Sequence, residues 1–515
     1  MAYLLGIDLG STSIKAVAYD LAGNIIAMHS VPAEIKHLDP DHPAWAFWDP
    51  DIVWNSTITV IKSVLDQTGN PADIKGIAVT GLGMDGVPLD QNGQWLYPFI
   101  SWQCTRTEPQ SRAFSQKFGA ENILNITGKQ VLHIDTLYRL VWMQENHPEI
   151  LEKTDIWLLI EDFINFMLCG RQATDFTMAS CTSLFDQKSL NWSDELFDHA
   201  GLDKALFPEA LPSGTVLGGV TASTAKKTGL KPGTPVILGG HDYICAGLAV
   251  GAFVPDVIMD VTGTWEIIVR TLPRLILQKE IFEAGINVEA HVAKEAYLLA
   301  GYSPSALMLE WFRDNYGFEE KEIENRTGKP DWESLMDKAA KAPCGSNGVF
   351  FLPHLAGAGT PDIDSRSLGG FIGLSTTTDK GCMLRAIIEG LDYQFKDILF
   401  SFERALPGNI QKIIAVGGAV RNQLWMQNKA DVTGKVIEVP ALEEATTLGA
   451  ALLAGIGLGL YKNEQDAFQQ TYKESRIYEP DSNRQKEYED YYPIFKKLYP
   501  SLKEVNHDIF NRFKS

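Results

Sequence analysis

The chain has 515 residues, 45% hydrophobic and 21% charged, which suits a large globular core and excludes a disordered chain. With 45 Lys+Arg against 65 Asp+Glu, the formal charge of −20 disfavours general binding of nucleic acid or anionic lipid. A local pocket for a phosphate-bearing small molecule stays open. The first residues, Met1 to Asp8, carry no basic leader, and the six cysteines form no C-x-x-C pair. The expectation is a cytoplasmic chain with reduced, mostly buried thiols and neither a zinc ribbon nor a membrane anchor.

In chain order, residues 3–7 and 14–19 are short runs of β-formers separated by Asp8-Leu9-Gly10-Ser11-Thr12-Ser13. Residues 24–30 supply a third strand after a turn signal. A helix is predicted over 51–67, with Asp49 or Asp51 as its cap. His37, Asp39, Asp41 and His42 lack metal spacing and read as a surface loop. A strand over 74–80 ends in Gly81-Leu82-Gly83-Met84-Asp85-Gly86, a match to G-x-G-x-x-G. The residues after it, 87–95, read as strand, turn and strand rather than helix, so dinucleotide binding is rejected. The stretch 136–168 is apolar at helical spacing and predicts helices covering a sheet.

A strand over 235–238 runs into Gly239-Gly240-His241-Asp242. Strands over 257–261 and 266–269 then flank Thr262-Gly263-Thr264-Trp265. The second half thus reopens as the first began: strand, acid, small-residue turn, strand. This predicts a duplicated α/β organisation with units 1–238 and 239–515. A strand over 410–416 leads into Gly417-Gly418, and 445–461 reads as a buried helix too short for a membrane span. The charged tail from about 463 reads as a helical surface cover.

Several of these turns carry chemistry. Small-residue turns such as 8–13 and 262–264 expose backbone N–H groups and hydroxyls that hold phosphate oxygens, and equally close ordinary hairpins. Asp8, at a strand end, suits Mg²⁺. Gly417-Gly418 lets a flat ligand approach the backbone, or simply serves a tight turn. Asp242 is placed to act as a general base or as a helix cap. A Walker P-loop is absent, so any use of ATP requires another fold.

Taken together and in this order, the motifs resemble the FGGY family of carbohydrate kinases over residues 7–461. The opening phosphate loop is Asp8 to Ser13. The first signature is approximated by Thr136-Leu137-Tyr138-Arg139-Leu140-Val141-Trp142-Met143, with Arg139 where Lys is usual. The catalytic region is Gly239-Gly240-His241-Asp242. The second signature runs from Gly369-Gly370-Phe371-Ile372-Gly373-Leu374 to Arg385-Ala386-Ile387-Ile388-Glu389-Gly390. The adenosine loop is Gly417 to Asn422, and the late helix carries Leu448-Gly449-Ala450-Ala451.

The resemblance implies an α/β chain of two actin-like (ribonuclease H-like) ATPase domains flanking a central cleft. It implies an ATP-dependent kinase acting on a ketose, pentulose or hexulose, or on a polyol, with ATP and Mg²⁺ as cofactors. No nucleic acid or membrane partner is expected, and a homodimer is one expected assembly. Asp242 would be the general base and Asp8 the Mg²⁺ holder. Ser11, Thr12, Ser13, Lys15, Gly263 and Thr264 would face the phosphates, with Gly418 and Asn422 against the nucleoside. Met84, Asp85, Trp102 and Tyr243 would join Asp242 on the sugar side. Asp85 stands where xylulose-type members often carry His, so xylulose itself stays one option among several. Competing readings are a glycerol or tetritol kinase, a non-catalytic nucleotide- and sugar-binding sensor or scaffold, and an actin- or chaperone-type ATPase.

Overall fold

The computed structural model describes residues 1–37 and 40–513. Asp39 of the expected surface loop lies outside them; His42 of that loop stacks on Trp45, ring centroids 4.2 Å apart. The apolar opening forms an antiparallel meander of β1 (Tyr3–Leu9), β2 (Ser13–Asp20) and β3 (Ile25–Pro32). Helix α1 (Pro50–Thr68) starts at Asp49, whose carboxylate accepts from the Asp51 and Ile52 amides, satisfying donors that a helix start leaves open. Its buried residues, Val53, Trp54, Thr57, Val60, Ile61, Val64 and Leu65, recur at helical spacing and cover the first sheet. β4 (Ile74–Gly81) then adds parallel to β1. The next element is a strand, β5 (Gly86–Leu89), and not the helix a dinucleotide fingerprint needs.

The stretch 136–168 departs from expectation. α2 (Thr136–Asn146) and α3 (Ile160–Cys169) are helical, but Ile156–Leu159 forms β6, antiparallel to β5. Over so short an apolar run, helical and buried-strand periods look alike, and the available partner decides. α2 packs in a separate apolar cluster with Trp157, Phe185 and Phe197 rather than over the main sheet.

β7 (Val216–Gly219) and β8 (Pro235–His241) complete the first sheet in the order β7-β8-β4-β1-β2-β3. β8 runs past the expected 238/239 boundary because Gly239 tolerates close approach: a Cβ there would lie 1.8 Å from the Val79 carbonyl oxygen. Helix α4 (Asp242–Val250) comes directly after it.

The second sheet is built from β9 (Val257–Thr262), β10 (Trp265–Leu272), β11 (Asn287–Ala290) and β12 (Tyr297–Pro304). After the long helix α5 (Lys380–Ala405) come β13 (Lys412–Val416), α6 (Gln423–Thr433), β14 (Val436–Pro440) and α7 (Ala445–Gly457). The tail contributes more than a cover. β15 (Ser475–Tyr478) completes the sheet edge before helices α8 (Ser482–Phe495) and α9 (Leu498–Phe513). The order is β11-β12-β10-β9-β13-β14-β15.

The two sheets share one plan. In each, a central strand (β1, β9) pairs with an antiparallel hairpin partner on one side and with two successive parallel strands on the other. Helices α4 and α7 lie between the sheets in a common apolar core with Leu4, Val17, Met259 and Ala300. Glycines make this contact close: a Cβ on Gly449 would sit 1.9 Å from the Cys245 carbonyl oxygen, and one on Gly6 would sit 2.0 Å from that of Thr447. All six cysteines are free, and no helix of the described residues is long and apolar enough to cross a membrane.

Candidate active site

In open α/β sheets, ligands gather at the carboxyl ends of the parallel strands. Here those ends carry each of the turns singled out in the sequence. The β1–β2 turn is closed by Gly10 N–H donating to the Ser13 carbonyl at 3.1 Å, and the Thr12 carbonyl accepts from Ala33 N–H at 3.0 Å. Ser11 and Ser13 stay half-buried and Thr12 exposed.

Asp8 ends this strand. Its Oδ1 is buried and has no hydrogen-bond partner. Burial, and then the charge of Asp242, push its carboxyl up to about 8. Asp242 opens α4 with its side chain 36% exposed, and its Oδ1 accepts from Tyr243 N–H at 2.5 Å. Two neighbouring carboxylates, one with an unpartnered buried oxygen, form a donor set that fits a hard divalent cation. Lys15, the nearest cation, is held elsewhere: its Nζ lies 2.6 Å from Glu444 Oε2, and Tyr19 O–H donates to the Glu444 carbonyl at 3.1 Å. The expected phosphate-facing Lys15 is therefore already paired.

On the second sheet, the β9–β10 turn is pinned by three hydrogen bonds. Gly263 N–H donates to the Trp265 carbonyl at 3.0 Å, and the Gly263 and Thr264 carbonyls accept from Ala306 and Ser305 at 3.1 Å each. Thr264 is exposed. The turn after β13 lies against it: Gly417 has φ 101°, and a Cβ there would lie 2.5 Å from the Thr262 carbonyl oxygen, so only glycine fits. Gly418 is exposed, with nothing within 4 Å of where a Cβ would stand. Asn422 was expected at the nucleoside. Its side chain instead caps α6, accepting from Trp425 N–H at 3.1 Å, while its Nδ2 contacts Met336 Sδ. The ends of β9 and β13 thus carry residues 262–264 and 417–418 side by side, and Glu444, beyond β14, meets Lys15 of the first sheet.

On the side expected to take the acceptor, Met84 adopts φ 62°. Its carbonyl accepts from Thr136 Oγ1 at 2.7 Å and Arg139 Nη1 at 2.9 Å, which hold this strained backbone. Asp85 differs from the expected sugar contact. It is fully buried; Oδ1 receives Arg139 Nη1 at 2.7 Å, and Oδ2 receives Trp48 Nε1 at 2.8 Å and Trp102 N–H at 3.2 Å. Burial raises its carboxyl pKa although Arg139 opposes this. Asp85 fixes the loop, leaving Met84 and Trp102, both half-buried, as the residues with surface to offer. Tyr243 also turns inward, its O–H donating to Glu289 Oε2 at 2.7 Å. Arg106 is buried with its guanidinium 4.2 Å from the ring centroids of both Trp45 and Phe47. Sequence reasoning missed Glu444, Glu289 and the pairing of Arg139 with Asp85, since each joins residues far apart in the chain. An acid in the Gly81–Gly86 turn and an Arg in place of Lys in the first signature were the only signals for the last.

Comparison with known families decides the identity of this arrangement. The N-terminal domain of the FGGY family of carbohydrate kinases matches residues 3–249, and its C-terminal domain matches residues 259–458. The chain belongs to the FGGY family of carbohydrate kinases. This carbohydrate kinase is 29% identical over 513 residues to a xylulose kinase of Staphylococcus epidermidis, covering 98% of each chain. It is 30% identical over 477 residues to an L-fuculokinase of Salmonella typhi, covering 93% of this chain and 97% of the other. The crystal structure of xylulose kinase from Rhodospirillum rubrum superposes with a TM-score of 0.88 at 26% identity, covering 98% of this chain and 100% of that one. The kinase has the two-domain fold of its family and is a phosphotransferase with an alcohol group of a sugar or polyol as acceptor. Family membership implies ATP as the phosphoryl donor.

Proposed function

We propose that this kinase transfers the γ-phosphoryl group of ATP to a hydroxyl of a ketose, a pentulose or hexulose, with Asp242 as general base. The observation that carries this reading is the position of Asp242. It opens a helix at the end of a parallel strand, keeps a partly exposed carboxylate, and stands beside Asp8 at the foot of the first phosphate-facing turn. The sugar hydroxyl passes its proton to the Asp242 carboxylate as its oxygen attacks the γ-phosphorus in line, and the bond to the ADP oxygen breaks. General-base help of this kind is worth about 10²–10⁴ in rate, and positioning with charge neutralisation supplies most of the rest.

The remaining residues bind and orient. N–H groups and hydroxyls of Ser11, Thr12 and Ser13 face the terminal phosphates from one side, and the exposed Thr264, set by the Gly263 turn, from the other. Gly418 lets the nucleoside lie against the backbone. Asp8 would hold Mg²⁺, which when bound neutralises phosphate charge. Met84 and Trp102 border the sugar. Relatives named xylulose kinase and L-fuculokinase favour a ketose over glycerol.

The test is coupled ADP release across ketopentoses, ketohexoses, deoxyketoses, tetritols and glycerol. Ketose-dependent ADP formation is expected. Turnover with glycerol or a tetritol alone would replace the substrate class. Binding of nucleotide and sugar without turnover would return the sensor reading.

A further inference from the structure

Behind the catalytic turn, Cys181, His241 and Glu289 bring a thiol sulfur, an imidazole nitrogen and a carboxylate oxygen within 4.8 Å of one another. Such a donor set invites a metal, but its charge is already met. Lys129 Nζ lies 3.1 Å from Glu289 Oε1, with the two side chains 2% and 0% exposed. The Glu289 oxygens are otherwise engaged as well: Tyr302 O–H donates to Oε1 at 3.2 Å and Tyr243 O–H donates to Oε2 at 2.7 Å. Burial opposes ionisation of Glu289, yet Lys129, the neighbouring His241 and the Tyr243 hydrogen bond prevail and hold its carboxyl below the usual range. The cluster is a satisfied ionic network rather than a vacant ligand set.

Its members come from both halves of the chain. Lys129, Cys181, His241 and Tyr243 fall within residues 3–249 of the N-terminal domain match; Glu289 on β11 and Tyr302 on β12 fall within the C-terminal match. The backbone joins at the same place. Val288 N–H donates to the Gly128 carbonyl at 2.8 Å, and Gln130 N–H donates to Asn287 Oδ1 at 2.7 Å. A Cβ on Gly128 would lie 2.2 Å from the Val288 carbonyl oxygen. Residues 128–130 therefore lie along the open edge of β11.

The network reaches the base through Tyr243, with His241 alongside. Tyr243 is the immediate neighbour of Asp242 in the chain, and its own N–H is the donor that orients Asp242 Oδ1. Its ring packs edge-on against His241 with centroids 4.5 Å apart, and His241 Nε2 stands 3.6 Å from Asp242 Oδ1. Anchoring the Tyr243 hydroxyl therefore fixes both flanks of the base.

We propose that Glu289, contributed by the second half of the chain, is a positioning residue that holds the Asp242 carboxylate in its attacking orientation through Tyr243. The inference rests on Asp242 being the base. A small misplacement of a reacting group costs up to about 10²-fold in rate. A loss of roughly 10-fold in kcat is therefore expected for Tyr243→Phe and for Glu289→Gln, with KM for ATP within about twofold of the parent. Because both act on one path, the double variant should be no slower than the slower single one. Tyr243→Phe leaves the Lys129–Glu289 pair in place, so it remains informative even if Glu289→Gln fails to fold, as a melting curve would show. An unchanged kcat in Tyr243→Phe, or losses that multiply in the double variant, would overturn the proposal. Asp242→Asn run in parallel separates the levels. If it keeps turnover, the base assignment itself fails; if it is inactive while Tyr243→Phe is normal, only the positioning role falls.

Discussion

Lys15 Nζ lies 2.6 Å from Glu444 Oε2, tying β2, just past the first small-residue turn, to the segment that enters α7. The side chains are 19% and 18% exposed, so solvent screens the pair only in part. Under the proposed phosphate site the contact withholds a cation from the phosphates, and Glu444 adds a negative charge near Asp8. Glu444→Gln should release Lys15 and lower the KM for ATP about two- to threefold, the scale of a partly screened ion pair. Lys15→Met should raise it. Steady-state kinetics on both variants decide the matter, and a higher KM in Glu444→Gln would show that the pair serves to hold the turn.

Replacing the proposed base isolates chemistry from binding. Asp242→Asn keeps the shape and the acceptor oxygen but cannot take a proton at neutral pH. Turnover should fall by about 10²–10⁴. Calorimetric affinity for the accepted ketose should stay within about threefold, because the proposed sugar borders, Met84 and Trp102, are left untouched. Near-normal turnover would remove Asp242 from its role.

The Arg139–Asp85 pair is shielded from water, with side chains 1% and 0% exposed. Removing one member strands the other charge, a change that costs about 3–5 kcal/mol. Arg139→Met should therefore shift the denaturation midpoint strongly and raise the sugar KM, since Met84 also loses a carbonyl partner. Adding Asp85→Asn should restore part of the stability by removing the stranded charge. A double variant less stable than Arg139→Met would contradict this account.

Two buried histidines should each add to acid sensitivity. Burial pushes both His291 and His354 down to about 4. His354 is packed between Ser367 and Gln394, and His291 accepts from Ala293 N–H. Between pH 6.5 and 4 the unfolded chain holds protons on these rings and the native chain does not. Stability therefore falls on acidification through that window, by up to about 1.4 kcal/mol per pH unit for each ring. The loss is complete below about pH 4, where both states are protonated. Chemical denaturation at pH 7, 6 and 5 measures the slope, and His354→Gln should flatten it.

Much of the architecture was legible because local chemistry and global plan agree. The β1–β2 and β9–β10 turns, the Gly239–Asp242 run and the Gly417 turn each announce themselves by small residues between β-formers. Strand β6 was not legible, since Ile156–Leu159 sits inside a longer apolar stretch and only its pairing with β5 distinguishes it. The polar partners escaped for a different reason. Glu444 meets Lys15, and Glu289 meets Tyr243, across large sequence separations that no periodicity encodes. Asp85 looked available because turn acids normally face water; here Trp48, Trp102 and Arg139 close over it.

The placement of α7 has a consequence for biosynthesis. Residues 445–457 cover the face of the first sheet that carries Leu4, Val17 and Ala78, so that face finds its lid only when nearly the whole polypeptide has left the ribosome. Until then an apolar surface belonging to the earliest-made strands waits uncovered, open to chaperones and to self-association. Expressing the amino-terminal portion alone would make that exposure permanent.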